Sequence, residues 1–188
     1  MIVLVGPSAS GKTDLGKHLC KEYCLIKAIT HTTRAPRKGE KDGVDYYFVT
    51  EEEFSSLLSH DSFVETTFYN GHHYGSSKKE IDDDKVIVVD PVGMDAYLKL
   101  HDDHIVVFFL TATQKTRIER MKKRGDSPSN IRSRIESDKT AFATDKVVGY
   151  DYVIKTDKRT MESIGEEVYS KYLDKLKERN IKPNVLIQ

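Results

Sequence analysis

Eight residues near the start, Gly6-Pro7-Ser8-Ala9-Ser10-Gly11-Lys12-Thr13, fit the spacing G-x-x-x-x-G-K-[ST]. Glycines let a backbone wrap a phosphate with no Cβ in the way. The loop amides and the helix start behind them then point N–H groups at the anion. Lys12 has the reach for β- and γ-phosphates, and the Thr13 hydroxyl suits Mg²⁺. Asp90 closes an apolar run, where a second metal-shell acid belongs or where an acid caps the next helix. In Thr32-Thr33-Arg34-Ala35-Pro36-Arg37 two arginines stand three apart beside a stiffening proline. Arg34 and Arg37 can fork onto one phosphate, with Tyr46 and Tyr74 adding hydroxyls, or form a solvated charged loop. Arg117, Arg120 and Arg124 recur at i, i+3 and i+7 along one helical stripe, followed by Arg132 and Arg134. Arginines on a moving helix stabilise charge that accumulates during phosphoryl transfer. A solvated helical face is the competing reading.

These groups need elements to hold them. Ile2–Val5 reads as a buried strand and Leu15, Leu19 and Tyr23 as one face of a helix. A second strand is expected at Ala28–Thr30 and a third at Tyr46–Val49. Thr50 with Glu53 forms a capping box, opening a helix through Leu58. Phe63–Phe68 and His73–Gly75 flank Asn70-Gly71, a strong hairpin signal. Lys85–Asp90 and His104–Leu110 read as buried parallel strands, each followed by a helix, near Val92–Leu100 and Gln114–Arg124. Ser127-Pro128 opens another helix. A last strand at Tyr152–Lys155 precedes a helix faced by Met161, Ile164, Val168, Tyr172 and Leu176. Strands alternating with helices imply an α/β fold with a parallel sheet. Asp82-Asp83-Asp84 reads as a solvated loop.

Composition narrows the function. The 188 residues carry 30 Lys plus Arg against 30 Asp plus Glu, a balance that argues against a general nucleic-acid binder. No apolar run reaches the roughly 18 residues of a membrane span. Cys20 and Cys24, four apart in a helical pattern, are expected to be reduced, in a cytoplasmic setting. The seven histidines show no metal-ligand spacing, and His72-His73 is expected to be exposed. No Ser/His/Asp or Cys/His arrangement suggests a covalent nucleophile.

Taken together the motifs resemble guanylate kinase over nearly the whole chain. The stretch Thr32 to Glu40, then Asp42-Gly43-Val44-Asp45-Tyr46-Tyr47-Phe48, is similar to that family's substrate-binding segment almost residue for residue. Phe63-Val64-Glu65 and Tyr74-Gly75-Ser76-Ser77 resemble its two later substrate motifs. The resemblance implies a P-loop NTPase three-layer sandwich with a parallel core sheet, a small mixed α/β GMP-binding insert and a helical lid. The core would be 1–30, 82–116 and 141–188, the insert 31–81 and the lid 117–140. It implies ATP-dependent, Mg²⁺-assisted phosphorylation of GMP without a covalent intermediate. Gly6, Ser8, Ala9, Ser10, Gly11, Lys12, Thr13 and Asp14 would bind ATP. Arg34, Arg37, Tyr46 and Tyr74 would hold the GMP phosphate, Glu65 the guanine N1 and N2 hydrogens, and Thr30 and Ser76 its O6, with Asp90 beside GMP. Thr13 and Asp90 would be the metal ligands, and Lys12, Arg34, Arg120, Arg124 and Arg134 the catalytic cations. A monomer or homodimer with small-molecule partners only is expected.

Departures from the family pattern bear on the same site. Val88 and Val92 replace an acid and a glutamine around Asp90; Thr156 replaces an asparagine and Thr30 a serine. Two alternatives accordingly stand beside the leading reading. One is a noncatalytic guanylate-kinase-like module. The other is a kinase for another purine (deoxy)nucleoside monophosphate.

Overall fold

The computed structural model describes residues 1–143 and 147–182. In chain order the elements are β1 (Ile2–Val5), α1 (Lys12–Glu22), β2 (Ile26–Lys27), β3 (His31–Thr32), β4 (Tyr47–Phe48), α2 (Glu51–Ser59), β5 (Phe63–Tyr69) and β6 (His72–Ser77). They continue with β7 (Lys85–Val88), α3 (Pro91–Leu98), β8 (Val106–Thr111), α4 (Gln114–Lys123), α5 (Pro128–Ala141), β9 (Tyr152–Lys155) and α6 (Met161–Glu178). The main sheet runs β2-β7-β1-β8-β9, every pair parallel.

The period of two along β1 builds both faces of this sheet. Ile2 and Leu4 meet Leu15 and Leu19 of α1 and Ile164, Val168 and Tyr172 of α6. Met1, Val3 and Val5 meet Met94 and Tyr97 of α3. Each such side chain removed from water contributes roughly 1.5–3 kcal/mol, so a strand buried on both sides anchors the three layers. The phosphate-type loop leaves the carboxyl end of β1, the strand held most deeply.

A second sheet, β4-β3-β6-β5, stands apart from the first. Its hairpin turns at Asn70 and Gly71, φ 50° and 81°, the left-handed pair that a tight two-residue turn requires. The Thr50 capping box forms in full, with Thr50 Oγ1 accepting from Glu53 N–H and Glu53 accepting from Thr50 N–H.

Several expectations are corrected. Ala28–Thr30 is no strand; it is the crossing between sheets. Ala28 N–H still bonds Val86 C=O of the first, and Thr30 C=O already accepts from Tyr47 N–H of the second. Asp82-Asp83-Asp84 is not a solvated loop at its centre: Asp83 is 2% exposed, its Oδ1 lies 2.7 Å from His104 Nδ1, and its C=O accepts from the Tyr172 hydroxyl. Cys20 and Cys24 are both free thiols, but α1 ends at Glu22 and Cys24 turns into the left-handed region, φ 54°. His72 and His73 are half-buried, His73 stacking on Phe54 at 5.2 Å. Asp90 lies past the end of β7, as the N-cap of α3. Of the stretch expected to complete the core, 144–146 and 183–188 lie outside the described residues. No described helix is long and apolar enough to cross a membrane.

Candidate functional site

The chain leaves β1 through Gly6, φ 152°, where a Cβ would sit 2.2 Å from Leu110 C=O; no side chain fits. Ala9 takes φ 60° and Gly11 φ 103°, so the loop curls before α1 begins. An alanine in that region is a strained residue held by its surroundings. Gly11 caps α1 without a side-chain bond, leaving first-turn amides for an anion. Thr13 and Asp14 are exposed on that turn. Ser10 is fully buried and its hydroxyl has no partner among the described residues.

Lys12 folds back over its own loop. Its ammonium donates to the Gly6 and Pro7 carbonyls. Burial lowers its pKa to about 8, with the Asp138 charge opposing that shift and the Arg117 charge adding to it. Asp138 also accepts from Ser8 N–H at 3.0 Å, from Ser8 Oγ at 3.1 Å and from Arg117 at 2.5 Å. Arg120 donates to Ala9 C=O, Thr156 Oγ1 and Thr156 C=O at 2.8–3.1 Å. Thr156, 1% exposed, passes its own hydroxyl to Ser10 C=O at 2.9 Å. The threonine in place of asparagine is therefore a tie between loop and sheet. A cavity of about 410 Å³ opens beside it, lined by Gly11, Asp14, Arg120, Arg124, Thr156 and Ile164 among others.

Of the helical arginine stripe, Arg117 and Arg120 are held down on the loop; only Arg124 is exposed. Arg124 forks onto Asp126 with Nε 3.0 Å from one oxygen, and Arg134 Nε stands 4.0 Å from the other. The bond from Arg124 holds the Asp126 carboxyl below its ordinary range. Two arginines from different helices thus converge on one carboxylate, the geometry that a phosphate oxygen cluster would also attract.

The second sheet repeats this pattern. Arg34 donates to Glu40 at 2.9 Å and lies 5.5 Å from the Tyr46 ring centre. Glu40 also accepts from Arg37 N–H at 2.7 Å, while the Arg37 side chain is exposed. The Arg37 amide, and then the Arg34 guanidinium against the pull of burial, keep Glu40 ionised below the usual range. Tyr46 and Tyr74 meet edge to face at 6.1 Å, so Arg34, Tyr46 and Tyr74 form one cluster. On the hairpin, an irregularity between Phe63 and Glu65 sets Glu65 opposite Ser76. Ser76 Oγ donates to Glu65 Oε1 at 2.8 Å. Thr30 lies at the crossing between sheets and lines a cavity of about 680 Å³ with Thr13, Tyr46, Lys27 and Val88.

Asp90 Oδ1 accepts from Gly93 N–H at 2.8 Å, and its carboxylate borders a separate cavity of about 690 Å³ with Lys12, Val92 and Asp138. Val88 and Val92 are 40% and 75% exposed, Val88 lining the cavity that holds Thr30 and Val92 the one that holds Asp90. Among the described residues no cluster of three or more His, Cys, Asp or Glu could hold a metal alone.

Sequence reasoning missed Asp138, Arg117's burial, Glu40, Asp126 and Tyr97. Tyr97 of α3 is fully buried, its hydroxyl without a partner in good hydrogen-bond geometry among the described residues, and burial pushes its phenol up, with the nearby Ser76 hydroxyl opposing that shift and the charge of Glu65 adding to it. One signal was available: Asp138 falls on the same helical stripe as Ile131 and Ile135. Glu40 lies at the end of the Thr32–Glu40 stretch and Asp126 beside Arg124, but neither was singled out as a partner of the arginines.

A family model described as guanylate kinase matches residues 1–172. A guanylate kinase from Anaplasma phagocytophilum (strain HZ) is 33% identical over 164 residues, 82% of this chain and 77% of that relative. One from Wolbachia pipientis wMel is 31% identical over 191 aligned positions, 95% of this chain and 94% of the relative. The crystal structure of guanylate kinase from Anaplasma phagocytophilum superposes with a TM-score of 0.62 at 26% identity, covering 97% of this chain and 86% of that one.

Proposed function

The chain belongs to the guanylate kinase family, and from that membership we propose how its own residues divide the work of phosphorylating GMP with ATP. The overall reaction moves the γ-phosphoryl group of ATP to GMP. Such a transfer asks for positioning and positive charge, not a protein nucleophile.

The observation that carries the proposed division is the placement of the loop Gly6–Thr13 between a cavity bordered by Arg120 and Arg124 and another bordered by Thr30 and Tyr46. We assign the first to ATP and the second, with Arg34, Arg37, Tyr74, Glu65 and Ser76 of the second sheet, to GMP. Residues 31–81 are then the GMP-binding insert and 117–140 the lid. Lys12 leaves the Gly6 and Pro7 carbonyls for the donor phosphates. Arg124 and Arg134 exchange Asp126 for the transferring phosphoryl oxygens, where charge develops. Arg120, already bonded to the loop, holds it against Thr156 and lends its charge there. Arg34 exchanges Glu40 for the GMP phosphate. Glu65 accepts from guanine N1–H and N2–H, one on each oxygen, Oε1 keeping a second lone pair beside the one that takes the Ser76 hydroxyl. Closure of insert and lid keeps water from accepting the phosphoryl group.

Mg²⁺ suits the donors present: the exposed Thr13 hydroxyl and the Asp90 carboxylate are hard oxygens, few enough that phosphate and water complete the shell. Held there by Thr13 and Asp90, it would supply positive charge against the phosphates of ATP. In this assignment Val88 and Val92 add no ligand, leaving Asp90 as the sole acid from its strand end. The test is a coupled assay of ADP formation with GMP, dGMP, AMP, CMP and UMP as acceptors, with and without Mg²⁺. A preferred acceptor other than GMP or dGMP would overturn the assignment of Glu65. Full turnover without divalent cation would overturn that of Thr13 and Asp90.

A further inference from the structure

Helix α5 carries a charge where its inward stripe calls for hydrocarbon. Its three buried residues are Ile131, Ile135 and Asp138, at i, i+4 and i+7. The two isoleucines pack with Met121 and Ile118. Asp138 is 8% exposed, and desolvating a carboxylate is costly unless its partners are well placed. Its partners come from two other segments: Ser8 N–H and Ser8 Oγ, 130 residues away, and Arg117 of α4. Arg117 also reaches Ser8 C=O at 3.4 Å, so one residue of the loop is gripped at its amide, hydroxyl and carbonyl. Both members of the ion pair are about nine-tenths buried. Such a pair adds little net stability over an apolar pair of the same size, so stability does not account for it. Fixed geometry does.

The polar grip on the loop lies at the far end of the helix. Asp138 lies three residues before the end of α5, whereas Arg134, one turn earlier, is about half exposed and among the described residues stands 4.0 Å from Asp126. A helix bonded to the loop at its far end, and resting on α4 elsewhere only through the non-directional apolar contacts of Ile131 and Ile135, can turn about the bonded point.

We propose that Asp138 is a positioning residue, the pivot through which the phosphate loop, held at Ser8, sets where α5 delivers Arg134. This deepens the assignment above and rests on its placing of the donor phosphates on Gly6–Thr13 and of α5 in the lid. The pivot brings α5 down onto a loop that carries the triphosphate at a fixed distance. Without it α5 still folds on Ile131 and Ile135 but samples positions in which Arg134 misses the transferring group.

Three variants test this by steady-state kinetics and melting temperature: Asp138→Asn, the paired Arg117→Met/Asp138→Leu, and Ser8→Ala. The paired variant removes the clamp without leaving a buried charge. Assayed near pH 6.5, where Lys12 stays charged, Asp138→Asn and the paired variant are expected to lower kcat by ~10- to 100-fold while KM for GMP stays within ~2-fold, because misplacement acts on the transition state. Ser8→Ala, which loses only the hydroxyl bond, should lower kcat by ~3-fold, and this loss should vanish in the Asp138→Asn background. A folded paired variant with wild-type kcat overturns the proposal. So do wild-type kcat in Ser8→Ala, independent multiplication of the Ser8 and Asp138 effects, or a loss of rate that disappears on cooling below a lowered melting point. Lys12→Ala separates the two layers of argument. Full turnover there defeats the assignment of the loop itself, whereas an inactive Lys12→Ala beside fully active Asp138 variants defeats only the pivot.

Discussion

The phosphate loop and the Arg34–Glu40 loop both hold cations ready for an anion, but by different means. Around Gly6–Thr13 the backbone is buried or half-buried up to the exposed Thr13, and Lys12 rests on neutral carbonyls. On the second sheet Arg34 rests on a full carboxylate, Glu40, in a loop exposed from Ala35 to Gly39. A carbonyl releases an ammonium easily when a charged phosphate arrives, and burial gives that contact weight because little water screens it. A carboxylate, carrying a full charge, competes harder for the cation than a carbonyl does. In the proposed assignment the first region is built in advance, whereas the second exchanges one partner for another. Arg124 and Arg134 on Asp126 belong with the second.

The largest expected effect tests the built region. Lys12→Ala should lower kcat by ~10²- to 10³-fold, the cost of one charge contact made in the transition state. Its melting temperature should stay near wild type, since the ammonium leaves only two carbonyl contacts behind. A folded variant with normal turnover would remove the contrast with Arg34 altogether.

Next comes base choice on the second sheet. Glu65→Gln keeps the shape but places a donor where two acceptor oxygens are needed. The preference for GMP over AMP, taken as the ratio of kcat/KM, should fall by ~10²-fold or more. Retention of the full preference would place base reading on Ser76 and Thr30 instead.

The arginines of the two proposed sites should separate by step. Arg37→Ala should raise KM for GMP by ~10-fold with little change in kcat, whereas Arg124→Ala should lower kcat by a similar factor. Steady-state kinetics with each nucleotide varied in turn decides it. If both variants raised only KM for ATP, the assignment of Arg37 to GMP would be wrong.

The smallest effect is in pH. Lys12 has its pKa lowered from 10.5 to about 8, so the free enzyme loses this charge as pH rises through about 8. kcat/KM for ATP should fall by up to ~10-fold per unit above that point, since this ratio reports groups of the free enzyme. The Asp138 charge raises the Lys12 pKa, so Asp138→Asn should move the fall to lower pH. A profile flat from pH 7 to 9.5 would show that Lys12 is not desolvated before ATP binds.

Much of the molecule was legible in its residue order because the signals are short. The capping box at Thr50 and Glu53, the Asn70-Gly71 turn and the spacing from Gly6 to Thr13 each act within a few residues. Local sterics and the nearest hydrogen bond decide them. The parallel core was legible because strands covered on both faces are apolar throughout, as in Ile2–Val5. The residue order thus determined the phosphate loop, the alternating fold and the segments that carry the arginines. Tertiary structure decided which charges are free. Arg117, Arg120 and Arg124 have the same chemistry and lie along one stripe. Two are claimed by Ser8, Ala9, Asp138 and Thr156, residues 21 to 111 positions away, and the third is left to Asp126. Asp83, Asp138 and the crossing at Ala28–Thr30 were misread or missed for the same reason. A carboxylate is buried only when distant donors converge on it, and a strand pairs only where another backbone is offered. Neither partner is visible from the residue's own neighbourhood in the chain.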